Sequence, residues 1–161
     1  MADEHHPLTH IDDAGRARMV DVGDKPITRR TATAEAYFVA DAHVIEAVAN
    51  DELPKGSVLG VARLAGVAAA KRTDELIPLC HSVPLDDADV DLEVHSDRVR
   101  IVARVACHAR TGVEMEALVA ASVAGLTLID MTKALDRGGR IEGLRIIEKT
   151  GGRSGTYSAD A

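Results

Sequence analysis

The chain has 161 residues, 46% of them hydrophobic, enough to enclose one core and too few for two. Its 19 basic side chains against 26 acidic ones leave a formal charge of -7, opposite to the broad basic footprint that nucleic-acid binding requires. No stretch reaches the roughly 20 apolar residues of a spanning helix, and the start of the chain, with Asp3, Glu4, His5 and His6, lacks the basic and apolar regions of a secretion signal. A cytoplasmic protein is expected, with no membrane partner and with Cys80 and Cys107 reduced.

Met1 to about Pro7 is polar and His-rich and is expected to be a flexible tail. Alternation through Thr31, Thr33, Tyr37 and Val39 predicts a strand over Arg29–Val39, followed by a short helix from Asp41, a residue able to cap it, to about Asn50. After the break at Pro54–Ser57, apolar residues spaced three and four apart predict a helix ending near Thr73. Asp87–His95 and Arg98–Cys107 alternate apolar and polar residues around Ser96 and Asp97, the pattern of a hairpin. A long helix is predicted over about Val113–Leu135, stopped by Gly138 and Gly139, and a last strand over Ile141–Glu148. The Gly- and Ser-rich end from about residue 151 is expected to be a second flexible tail.

Apart from the first short helix, the order is strand, helix, strand, strand, helix, strand. This is the split βαβ order of the ferredoxin-like two-layer sandwich, an α+β fold with an antiparallel sheet and its helices on one face. Aromatic residues make up only 2% of the chain, so its core is built from small aliphatic side chains that bury little area each, and further burial between subunits is expected.

Three polar constellations could carry chemistry. Thr111–Glu116 opens the long helix with Glu114, Met115 and Glu116; the carboxylates either simply favour the helix dipole or face a ligand. Further along, Asp130 interrupts an apolar run, where burial would demand a partner. Lys133, three residues on, makes either an intrahelical ion pair with it or a pocket-lining pair. Glu116 and Asp130 lie fourteen residues apart, roughly 21 Å along a helix, so one copy cannot bring both to one small site. Lys55 beside Gly56 could fold over a phosphate at the next helix N-terminus, whereas for Lys71 and Arg72, near a helix C-terminus, cations meeting the dipole is the stronger reading. His81 follows Pro78, Leu79 and Cys80 and is either a packed histidine or a site residue; no short-gap Cys/His motif supports a structural zinc, so no metal site is expected.

Seven segments, LTHID (Leu8–Asp12), ARMVDVG (Ala17–Gly23), LPKGSVLGVARLAGVAAAKRT (Leu53–Thr73), LIPLCH (Leu76–His81), TGVEMEAL (Thr111–Leu118), DMTKAL (Asp130–Leu135) and GGRSG (Gly151–Gly155), resemble in order the molybdenum-cofactor biosynthesis protein C family, cyclic pyranopterin monophosphate synthase. The resemblance implies a substrate, cyclised dihydroguanosine triphosphate, that is rearranged to a pyranopterin carrying a cyclic phosphate with release of pyrophosphate. It implies a homohexamer, a trimer of dimers with sites at dimer interfaces, and no cofactor beyond a possible magnesium on the substrate phosphates. It also implies a site containing Lys55, Lys71, His81, Glu114, Met115, Glu116, Asp130, Lys133 and Lys149. Among these, Lys55, Lys133 and Asp130 are expected in catalysis, and Lys71 and Lys149 on phosphate. The chain departs from the family pattern at Ser57, Ser82 and Arg153, and the first two are the only support for a second reading as an inactive, ligand-binding relative.

Overall fold

The computed structural model describes residues 14–52, 56–153 and 155–159; the predicted N-terminal tail lies outside them. Its elements in order are β1 (Thr28–Val39), α1 (Ala42–Ala49), α2 (Val58–Ala70), α3 (Thr73–Leu76), β2 (Asp87–Val94), β3 (Arg98–Ala109), α4 (Glu114–Thr132), β4 (Arg140–Thr150) and β5 (Tyr157–Ser158).

The strands form one antiparallel sheet in the order β2-β3-β1-β4-β5. Its first four strands have the ferredoxin-like arrangement that the element order predicts, with helices packed on one face of the sheet. Alternation assigns the faces: Ala32, Ala34, Ala36 and Phe38 of β1 point into the core with Val99, Ile101, Ala103 and Val105 of β3. The opposite face is polar and is organised around Glu35, which is buried there between Arg100 and Arg145, at 3.1 and 2.8 Å.

Small residues let α2 and α4 approach closely. A Cβ on Gly66 of α2 would stand 2.8 Å from the Ala120 carbonyl oxygen of α4 and 2.9 Å from Val90 Cγ2, so only glycine fits. α4 is long and apolar enough to span a membrane by composition alone, but half of it is buried against the sheet and α2, and it serves as the core helix.

Local details differ from the sequence expectation. Asp41 stands at the N-cap of α1, but its side chain makes no capping hydrogen bond there. The Asp41 carbonyl accepts from the Val44 and Ile45 amides instead. Ser57, by contrast, caps α2 by accepting from the Gly60 amide at 3.4 Å. α2 stops at Ala70, and the buried Thr73 hydroxyl, 3.0 Å from the Ala70 carbonyl, secures a separate short turn of helix, α3. α4 ends three residues before the expected Leu135, because the Leu135 and Asp136 amides both turn back to the Thr132 carbonyl. Within the Gly-rich C-terminal segment, β5 pairs Tyr157 with Lys149 and Ser158 with Glu148.

Candidate active site

The sheet register and the long helix converge at one end of the molecule. There the start of β1, the end of β4 and the N-terminus of α4 surround a cavity of about 690 Å³, closed further by residues 20–26, 79–81, 110–112 and 151–153. α4 has no side-chain cap at Val113, and its first residues, Glu114 and Met115, line the cavity, so the positive end of the helix dipole lies beside it.

Charge in the cavity runs against that of the chain. Lys25, Arg30, Arg110, Lys149 and Arg153 line it, and Glu114 is the one carboxylate among its lining residues, bonded to Lys149 at 3.0 Å. The cations hold one another through backbone oxygens: Arg30 donates to the Arg110 carbonyl at 3.4 Å and Arg110 to that of Lys25 at 3.1 Å. Arg30 Nε is buried without a hydrogen-bond partner among the described residues. Gly151 and Gly152, with φ of +92° and +77°, carry the chain past this arginine, and a Cβ on Gly152 would collide with the Arg30 guanidinium.

His81 lines the same cavity, with Nε2 2.8 Å from the Val20 carbonyl oxygen. A carbonyl can only accept, so Nε2 carries the hydrogen and Nδ1 is the basic nitrogen of the neutral ring. Met115 also lines the cavity. Glu116 lies behind its wall, 3% exposed, where its Oε1 accepts from the Cys80 thiol at 3.6 Å. Burial raises the Glu116 carboxyl above its ordinary pKa, and burial together with Glu116 pushes Cys80 up to about 11.

Of the expected site residues, His81, Glu114, Met115 and Lys149 meet at this cavity, with Glu116 behind it. Lys71 is the exposed C-cap of α2 and does not line it, and Lys55 lies outside the described residues. Asp130 and Lys133 form the anticipated ion pair at 2.6 Å, but with side chains 63% and 60% exposed, so the expectation of a buried pair is corrected. The helix periodicity explains why: Leu128, Met131 and Thr132 take the inward face, while Leu126, Asp130 and Lys133, spaced by four and three, fall on the outward one. Lys25, Arg30 and Arg110 were missed in the sequence. Only Arg110, directly before TGVEMEAL, had a position that could have flagged it.

The model of the MoaC family matches residues 19–152. The chain belongs to the MoaC family. Within it, this chain is 54% identical to a cyclic pyranopterin monophosphate synthase of Methylobacterium, over 95% of this chain and 97% of the relative. It is 52% identical to the one of Streptomyces avermitilis, over 94% and 89%, and 50% identical to that of Chloroflexus aurantiacus, over 98% of both. The MoaC family match begins at Met19 and ends at Gly152, so it takes in every element from β1 to β4 and all the cavity-lining residues except Arg153.

Proposed function

We propose that this chain is a cyclic pyranopterin monophosphate synthase of molybdenum-cofactor biosynthesis, a pyrophosphate-releasing lyase acting in the cytoplasm on cyclised dihydroguanosine triphosphate. The observation that carries the proposal is the cavity at the N-terminus of α4: five cations around one paired carboxylate in a chain of net charge -7 suit a triphosphate. Lys149, Arg30 and Arg110 hold phosphate oxygens. These contacts strengthen as pyrophosphate takes up the electrons of the breaking P–O bond when the cyclic phosphate closes. His81, Glu114 and Met115 orient the base and ribose, with His81 Nδ1 able to take a proton.

The ring rearrangement requires proton transfers, which are assigned to Lys133 with Asp130 as its partner and to Lys55. Asp130 and Lys133 sit on the outward face of α4, some 21 Å along the helix from Glu116. They therefore serve the cavity of a second copy. The solvent side of the helical layer also exposes Val61 and Leu64 of α2 and Leu126 of α4, apolar surface that a second copy would cover. A homohexamer built from such dimers is the assembly proposed. Among the described residues no group of three or more His, Cys, Asp or Glu could hold a metal ion; a magnesium ion on the substrate would be held mainly by its phosphate oxygens and water.

The test is turnover of cyclised dihydroguanosine triphosphate by the purified chain, followed by pyrophosphate release and by the fluorescence of the oxidised pterin. Product from the wild type, with kcat reduced at least about 100-fold in Lys133→Ala, is expected. A wild-type protein that binds the triphosphate without releasing pyrophosphate would instead be the inactive, ligand-binding relative.

A further inference from the structure

After β4 the chain doubles back beside the cavity. β1 and β4 pair as far as Thr31 and Thr150, whose hydroxyl oxygens are 2.6 Å apart, and β5 returns with Tyr157 opposite Lys149. The turn between them passes against Arg30 at Gly151 and Gly152 and brings Arg153 to the cavity wall.

The two glycines meet different neighbours. A Cβ on Gly151 would overlap the Arg29 carbonyl oxygen, part of the β1 backbone, so the fold itself excludes a side chain there. A Cβ on Gly152 would overlap the Arg30 guanidinium, the far end of a long side chain. Such an end swings aside more easily than backbone does, so a methyl group at 152 displaces the cation before it displaces the turn. The bond from Arg30 Nη2 to the Arg110 carbonyl, at 3.4 Å, is too long to hold the guanidinium in place against an overlap. Gly152 also has a left-handed φ of +77°, which strains any ordinary side chain. Gly155 separates the two effects: its φ is +64°, yet nothing lies within 4 Å of the place its Cβ would take.

We infer that Gly152 is a positioning residue whose bare backbone keeps the Arg30 guanidinium in the cavity wall, where, on the synthase reading proposed above, it meets phosphate oxygens. The turn after β4 thereby fixes the direction of one cavity cation, Arg30, and carries another, Arg153.

The experiment measures binding of inorganic pyrophosphate to the full chain by titration calorimetry, with kcat/KM for the cyclised triphosphate alongside. Gly152→Ala is expected to weaken pyrophosphate binding about tenfold, the scale of one lost hydrogen bond to a charged group, and to lower kcat/KM in parallel. Gly152→Asn tolerates the left-handed φ but keeps a Cβ, and is expected to bind as weakly. Gly155→Ala brings the strain without the overlap and is expected to stay within about twofold of the wild type. In an Arg30→Ala background, adding Gly152→Ala is expected to change affinity less than about twofold, since no guanidinium is left to displace. An equal loss with and without Arg30 would overturn the inference, because the methyl group would then be blocking the cavity or bending the turn. So would a loss in Gly155→Ala matching that in Gly152→Ala, recovered affinity in Gly152→Asn, unchanged affinity in Gly152→Ala, or a wild type that binds no pyrophosphate. If Gly152→Ala does not fold, Gly152→Asn with and without Arg30 makes the same comparison. A wild type that binds pyrophosphate but turns nothing over would end the synthase reading and leave the comparison at Gly152 standing.

Discussion

Two buried glutamates in this fold titrate in opposite directions, and the difference lies in their neighbours. Burial works against ionisation of Glu35, but hydrogen bonds from Arg145 and Arg100 outweigh it and hold the carboxyl below its ordinary pKa. Its contribution to stability is therefore present above the unfolded carboxylate range and is lost as pH falls through the lowered folded value. Glu35→Gln is expected to lower the unfolding free energy at neutral pH by about 1–2 kcal/mol, since the arginines keep contact with water and are screened. Urea unfolding from neutral to strongly acidic pH should show the two proteins converging as Glu35 becomes protonated. Glu116 has the reverse sign: its folded pKa is raised, so its contribution is complete below the unfolded carboxylate range and is lost as pH rises through the folded value. Glu116→Gln should remove that alkaline loss, and its stability relative to the wild type should rise with pH in the same urea series. Little of this was legible in the sequence. Glu35 is one polar residue on an alternating strand, and its two arginines come from β3 and β4, far along the chain.

Elements were far easier to read than partners, because their periods are local. The alternation of β1 and of the β2–β3 hairpin and the 3.6-residue spacing of α2 and α4 place all five elements within a few residues of the structure. The ends were less legible: a helix stops where a carbonyl finds a competing amide, as Thr132 does with Leu135 and Asp136, six residues before the first of the glycines that suggested the stop. The site divides the same way. TGVEMEAL and LIPLCH delivered His81, Glu114 and Met115 to one cavity as contiguous motifs. Arg30 reached it through strand register, and the outward turn of Asp130 depended on which face of α4 the sheet takes, which composition does not specify. The close approach of α2 to α4 can be tested at Gly66. Gly66→Ala would gain up to about 1 kcal/mol of helix propensity, but the added methyl must displace the Ala120 carbonyl oxygen and Val90. Backbone against backbone yields poorly, so a net loss of about 1–2 kcal/mol in urea unfolding is expected. A gain would mean that α2 slides readily along α4.

At the scale of the whole molecule, the cavity and the Asp130–Lys133 pair lie at opposite ends of one rigid helix, and no rearrangement within a chain can shorten α4 enough to join them. If a second copy supplies the pair, damage at the two ends must complement. Lys149→Ala spoils the cavity side of a site, and Lys133→Ala spoils the side contributed by the partner. A mixed dimer of the two variants then holds one site with both defects and one with none. Random reassociation of equal amounts makes half of the dimers mixed, so about a quarter of all sites become wild type. Each variant alone is expected to be nearly inactive, and the unfolded and refolded mixture to recover about a quarter of wild-type turnover. A mixture no more active than its components, with size-exclusion chromatography confirming that chains had exchanged, would place Lys133 and Lys149 in the same site of the same chain or make Lys133 irrelevant to it. Because each outcome depends only on which chain owns which end of the site, the measurement tests the dimeric site without relying on the role assigned to either lysine.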